Sequence, residues 1–221
     1  MRLKEFVTEK DFWEYVTHEV FYDQEKYRDD FRLALSGGSS ANIVTALHEK
    51  NYNWYKGTLW QVDERYVSVD DKRSNQKYLK EMLGKKGDLL HVFDVKRPID
   101  MCADEYDAML KEDNEGWLFD LMILGVGSDG HIASIFPEKS GEMGRLSTRR
   151  FVQQSETWVH DGKERVGLGW RAIKKARRIL VLLQGESKDK IWKEAKSLDF
   201  SDSPFGRLLK EKDNVTVVYF H

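Results

Sequence analysis

The chain has 221 residues, a formal net charge of -2, 40% hydrophobic and 33% charged residues. That is an ordinary globular composition, long enough for a single α/β domain with a sizeable core. It leaves no bulk basic field for nucleic acid, no acidic tail, and only strand-sized apolar runs, too short to span a membrane.

In chain order, the N-terminal "MRLKEFVTEK" lacks the apolar core of a signal peptide. "TEKDFWEYVTHEV" predicts a helix with Thr8 as N-cap, Asp11 three residues on, and Phe12, Val16 and Val20 as its apolar stripe. "FRLALS" (31–36) predicts a buried strand and "SSANIVTALHEK" the helix after it. "TLWQVD" (58–63) is a second strand, and "SNQKYLKEML" a helix leading to a weaker strand, "LLHVF" (89–93). "DMCADEYDAMLKE" is a further helix, followed by the strong strand "FDLMILG" (119–125). The least regular stretch is 137–170, with "TWVH" and "RVGLGW" as short strands. "RILVLLQ" (178–184) is again a strong strand, and "SKDKIWKEAKSL" the helix that follows. "SPFGRLLKE" opens with Ser203 as cap and Pro204 at the first helical position, and "NVTVVYF" (214–220) is the last strand.

Strands alternating with helices, several of them apolar throughout, predict a parallel sheet covered on both faces. With three prolines and no linker or internal repeat, the expectation is one α/β domain over 1–221. The basic cluster Lys174, Lys175, Arg177 and Arg178 reads as a solvated helix face. Cys102 has no partner for an internal disulfide, which fits a reducing cytoplasm and a packing role.

Open parallel sheets bind ligands beyond the carboxyl ends of their strands. After the first buried strand comes "SGGSSAN". Gly37 and Gly38 permit a tight turn, and Ser39 and Ser40 stand where a helix N-terminus suits a phosphate; a plain serine-capped turn explains the residues equally well. After the second come Asp63, Glu64 and Arg65, either a cleft wall or a surface ion-pair cluster. After "FDLMIL" comes "GVGSDGHIASIFP" (125–137). Asp129 and His131 are two apart, so a carboxylate can orient an imidazole for general-base chemistry, although such pairs also occur as turn residues. Arg165 and Lys188 add two cations, Lys188 just past a strand end. The histidines and the cysteine show no recognised metal-ligand spacing, so no metal is expected.

Together these stretches resemble the 6-phosphogluconolactonase family, whose superfamily also holds glucosamine-6-phosphate deaminase. "LSGGSSANIVTAL", "WQVDERYVSVDDKRSNQKYL", "FDLMILGVGSDGHIASIFP", "RVGLGWRAIKKAR" and "RILVLLQGESK" carry the likeness, in the family's order, over residues 33–188. "SIFP", "DER" and "RSN" favour the lactonase over the deaminase, whereas Ile132 matches the deaminase. Gly167 and Gly169 stand where the lactonase usually has threonines, and "VVYFH" replaces its usual C-terminal pattern. The resemblance implies a three-layer α/β/α fold with a mainly parallel, Rossmann-like sheet. It implies a cytoplasmic hydrolase of the pentose phosphate pathway, monomeric or homodimeric, acting without a cofactor on a phosphorylated sugar lactone. His131 would be the base, aided by Asp129. Gly37, Gly38, Ser39, Ser40, Asp63, Arg65, Arg165 and Lys188 would bind substrate. The rivals are the deaminase reaction and a catalytically silent sugar-phosphate sensor.

Overall fold

The structure, a computed structural model, describes residues 1–27, 31–53, 57–112, 116–137, 141–142, 150–198 and 202–221. Its helices are α1 (Glu9–Tyr27), α2 (Ile43–Glu49), α3 (Asn75–Leu83), α4 (Ile99–Glu112), α5 (Trp170–Lys174), α6 (Asp189–Ser197) and α7 (Pro204–Glu211). A 3-10 turn over Gly38–Asn42 leads into α2. Among the described residues, seven strands form one parallel sheet: β1 (Arg2–Phe6), β2 (Arg32–Leu35), β3 (Thr58–Gln61), β5 (Leu90–His91), β6 (Phe119–Gly125), β10 (Ala176–Gln184) and β11 (Val215–Phe220).

Their order is β1-β11-β10-β6-β2-β3-β5. From β2 the chain steps outward through β3 to β5, then crosses back to β6 on the other side. The strand order therefore reverses between β2 and β6, and the crevice at such a reversal is where open sheets take ligands.

Alternating side chains of the central strands feed two cores. Leu121 and Ile123 face Phe12, Val16 and Val20 of α1 and Leu47 of α2, with Leu180 and Leu182 beside them. Met122 and Leu124 face the opposite layer, with Tyr106 of α4, Trp192 of α6 and Phe205 of α7. Burial on both faces is why these strands read as near-continuous apolar runs. The expected three-layer α/β/α arrangement is what forms.

The caps behave as their residues predict. Thr8 Oγ1 accepts from the Asp11 N–H at 3.1 Å, and Ser203 Oγ from the Gly206 N–H at 3.0 Å. Each satisfies a first-turn donor that has no helical partner.

Four expectations need correction. The chain also builds a second, antiparallel sheet in the order β4-β9-β8-β7, from β4 (Asp63–Arg65), β7 (Gly141–Glu142), β8 (Val152–Thr157) and β9 (Glu164–Leu168). The strand expected at "TWVH" lies earlier, at β8, and only Thr157 is shared; 138–140 and 143–149 of that irregular stretch fall outside the described residues. The strand β1 was unforeseen because none of its side chains is fully buried; its register along β11 makes it a strand. Arg177 and Arg178 are not on a helix face. They begin β10, where Arg178 pairs with Glu19 and Asp23 of α1 and Arg177 with Asp120. Cys102 is buried in the core, and burial pushes its thiol up to about 12, so it packs as a small apolar group.

Candidate active site

The carboxyl ends of β2 and β6 open onto one cavity of about 160 Å³. Its wall includes Gly37, Gly38, Ser39 and Ser40 after β2, Asp63 and Arg65 of β4, His131 after β6, and Lys188 after β10. Residues as far apart in the sequence as Ser36 and Lys188 thus meet at the reversal point.

The loop after β6 is folded around His131. The Gly127 N–H donates to the His131 carbonyl at 2.9 Å, and the Gly130 N–H to the Gly127 carbonyl at 3.0 Å. The imidazole lies against the backbone of Gly127: a Cβ there would sit 2.1 Å from His131 Nδ1 and 2.6 Å from Asp129 Oδ1. Glycine at 127 is thus a condition of the Asp129–His131 contact. Gly130 has φ +84, and its carbonyl accepts from the Phe205 N–H, so α7 docks on the loop. Ala133 and Ser134 are left-handed, with φ 49 and 60. Such backbone costs non-glycine residues energy, and bonds from the second sheet side hold it: Ser134 Oγ donates to Asp63 Oδ2 at 2.5 Å, and Ser155 Oγ to the Ser134 carbonyl at 2.6 Å.

Asp129 Oδ1 lies 2.6 Å from His131 Nδ1. A carboxylate only accepts, so this nitrogen carries the hydrogen. The lone pair of neutral His131 is then at Nε2, the form a general base requires.

The cations differ in their settings. Lys188 Nζ donates to the Val126 carbonyl at 2.7 Å; burial lowers its basicity, and Asp129 partly restores it. Arg65 donates to the Arg73 carbonyl at 2.6 Å, while its Nε is buried without a hydrogen-bond partner among the described residues. Arg165 is not part of the cavity wall. It pairs across the strands with Arg65, is 5% exposed, and donates to the carbonyls of Gly162 and Asp161 at 2.7 and 2.5 Å. Burial, with Arg65 beside it, lowers its guanidinium to about 10. Two adjoining guanidiniums favour an anion nearby.

Glu64 is not a wall residue but the peg behind it. Wholly buried, its carboxylate accepts from Gln61 Nε2, the Arg65 N–H, Ser74 Oγ and the N–H groups of Asn75 and Gln76. It thereby fixes the N-terminus of α3 beside Asn75, another wall residue. A Cβ on Gly37 would lie 2.1 Å from Asn75 Oδ1, so this glycine allows the two segments to touch.

Two departures from the resemblance find explanations. Ile132 is fully buried in the core and outside the cavity wall, so it takes no place in the chemistry. A Cβ on Gly167 would meet the Ala133 carbonyl and Asp63 Cβ at 2.8 Å; no threonine fits where β9 passes the site. His160, unsignalled in the sequence, also reaches Asp129: its Nε2 is 3.1 Å from Oδ2. Asp129, His131 and His160 are the residues that could hold a metal ion among those described, with ligand atoms within 4.8 Å of one another. No described helix is long and apolar enough to cross a membrane.

Known proteins resemble this chain in sequence and in fold. The family model for glucosamine-6-phosphate isomerases/6-phosphogluconolactonase matches residues 10–218. A probable 6-phosphogluconolactonase of Drosophila melanogaster is 32% identical over 171 residues, covering 75% of this chain and 69% of the relative. The crystal structure of 6-phosphogluconolactonase from Thermotoga maritima superposes with a TM-score of 0.80 at 25% identity, covering 99% of each chain. A monomeric glucosamine-6-phosphate deaminase superposes with a TM-score of 0.81 at 19% identity, covering 100% of this chain and 98% of the other; that likeness is one of fold. With residues 10–218 matched by the family model and a 32% identical relative aligned over most of both chains, this protein belongs to the glucosamine-6-phosphate isomerase/6-phosphogluconolactonase family.

Proposed function

We infer that the chain hydrolyses 6-phospho-D-glucono-1,5-lactone to 6-phospho-D-gluconate, the lactonase step of the pentose phosphate pathway. The observation that carries the chemistry is the Asp129–His131 contact at the cavity wall, within a family that contains lactonases. A lactone is an activated ester, so a deprotonated water can open it without a covalent nucleophile. In our reading, His131 Nε2 takes a proton from water as its oxygen bonds to the lactone carbonyl carbon. The carbon–ring-oxygen bond then breaks, and the imidazolium returns the proton to the leaving oxygen. The product carboxylic acid ionises and releases acid. Asp129 stays ionised and steadies the imidazolium.

The phosphate is remote from the reacting carbon and serves as a handle that orients the ring. Gly38, Ser39 and Ser40 offer backbone N–H groups at the start of the helical turn, with Gly37 allowing the close approach. Lys188 supplies a point charge. Arg65 brings a donor that has no other described partner, and Arg165 reinforces the positive field from beside it. Asp63, held by Ser134, is suited to sugar hydroxyls. Water, imidazole and carboxylate complete the reaction, so the reading calls on no metal or cofactor. We read residues 1–221 as one sugar-phosphate-binding domain, acting in the cytoplasm as a monomer or homodimer, with no nucleic-acid or membrane partner.

The test is acid release from freshly generated lactone, corrected for spontaneous hydrolysis. Fast release is expected. Ammonia release from glucosamine 6-phosphate without lactone hydrolysis would overturn the reading in favour of the deaminase. Tight ligand binding without turnover would favour a sensor.

The handle predicts a particular kinetic pattern. Lys188→Ala should raise KM about 10-fold or more while kcat falls less, because the phosphate is bound alike in ground and transition states. An unchanged KM would take Lys188 out of the phosphate contact.

A further inference from the structure

Asp129 serves two imidazoles. Its Oδ1 faces His131 Nδ1 at 2.6 Å and its Oδ2 faces His160 Nε2 at 3.1 Å. Each contact has hydrogen-bond length, and the carboxylate offers only acceptors, so both facing ring nitrogens carry hydrogens. The two rings meet edge to face at 4.8 Å, and Phe136 packs on both, at 4.8 Å from His131 and 5.7 Å from His160.

His160 arrives from the turn between β8 and β9, and that turn is anchored. The Thr157 N–H donates to the Lys163 carbonyl at 2.9 Å, closing the hairpin. Arg165 grips the carbonyls of Asp161 and Gly162, the two residues after His160. Gly162 has φ +74, which suits glycine, and a Cβ there would press on Arg65 at 3.2 Å. The imidazole is therefore delivered to Asp129 by a fixed backbone rather than a free loop tip. It is half-buried and does not line the cavity, so it meets the site through Asp129 and the His131 ring rather than through the substrate.

Oδ1 also accepts from the His131 N–H at 3.2 Å, and a carboxylate bonded mainly through one oxygen can still turn about its last torsion. A donor on the second oxygen fixes the plane. We propose that His160 is a positioning residue: by donating from Nε2 to Asp129 Oδ2, it holds Oδ1 where it receives the His131 Nδ1 hydrogen. The neutral His131 is thereby kept in the tautomer with its lone pair at Nε2. This rests on the reading of His131 as the base.

The experiment compares the wild-type full chain with His160→Phe and His160→Gln. Phenylalanine keeps a ring to pack on Phe136 and removes the donor; glutamine restores an N–H donor. The kinetic readout is kcat against KM on the lactone. The structural readout is the ring 15N–1H correlation spectrum of histidine-labelled protein, with His131 assigned by the signals lost in His131→Ala. In wild type, His131 should show the Nδ1–H tautomer. In His160→Phe its signals should shift toward mixed tautomers, and kcat should fall about 10-fold, with KM within about two-fold. His160→Gln should recover most of both. An unchanged His131 spectrum in His160→Phe overturns the proposal, whatever the rates. A raised KM with unchanged kcat does so as well, since it would make His160 a substrate contact. If wild type fails to hydrolyse the lactone, the lactonase reading falls, while the spectra still decide whether His160 sets the His131 tautomer.

Discussion

Replacing His131 by alanine is expected to cut kcat/KM for the lactone by at least about 100-fold, the lower end of what one positioned base contributes. The fold should survive. The side chain is 26% exposed, lies over Gly127 and packs against Phe136 and His160, so truncation opens space at a cavity wall rather than in a core. Asp129 retains its contact with His160, so no carboxylate is left buried without a donor. The phosphate handle is untouched, and KM should change little. Acid release and a thermal melt, run side by side on both proteins, provide the check. Near-normal turnover by His131→Ala would end the assignment of the base and shift attention to a directly polarised carbonyl at Arg65.

Glu64→Ala should have the largest effect on stability. Its carboxylate is the shared acceptor for two side chains and three backbone N–H groups, in a place with no exposure to solvent. Alanine leaves these donors unpaired, and each buried orphan costs about 1–3 kcal/mol. Some will reach water through the space created. A net loss of about 4 kcal/mol is expected, which for a chain of this size lowers Tm by roughly 10 °C. The loss of a negative charge at the α3 N-terminus acts in the same direction. Since α3 presents Asn75 to the cavity, KM should rise as well. Denaturant unfolding measures the first effect and steady-state kinetics the second. A melt within about 2 °C of wild type would mean that water satisfies the donors as well as the carboxylate does.

Both predictions depend on residues whose roles differ in how legible they were. His131 stands directly after an apolar strand, in a glycine-rich loop, and its partner is two residues away. Glu64 is adjacent in sequence to the wall residues Asp63 and Arg65, and the alternation of a strand sends it the other way. Reading "DER" as one charged cluster merged two opposite faces. Arg165, expected to bind substrate, stands beside Arg65, but its guanidinium donates to the backbone of the β8–β9 turn and is not part of the cavity wall.

What the sequence by itself determined is what is decided within a few residues. Apolar runs marked β2, β3, β6, β10 and β11; Thr8 and Ser203 marked helix starts; glycines after β2 and β6 marked the strand ends where a ligand site belongs. Backbone propensity, capping and alternation act over one or two turns of chain, and leave their signature there. The antiparallel sheet is another matter. It pairs Asp63 with Gly167 and Arg65 with Arg165 across about a hundred residues, and its strands are short and partly polar. The "RVGLGW" stretch marked β9, but nothing local showed what it pairs with or set β4 apart from loop. The inward turn of Ile132, the peg role of Glu64 and the arrival of His160 at Asp129 all follow from that sheet packing against the ends of β2 and β6. Only the tertiary structure decided them, because long-range pairing is selected by the total burial and hydrogen bonding of the folded chain, not by any segment's own preference.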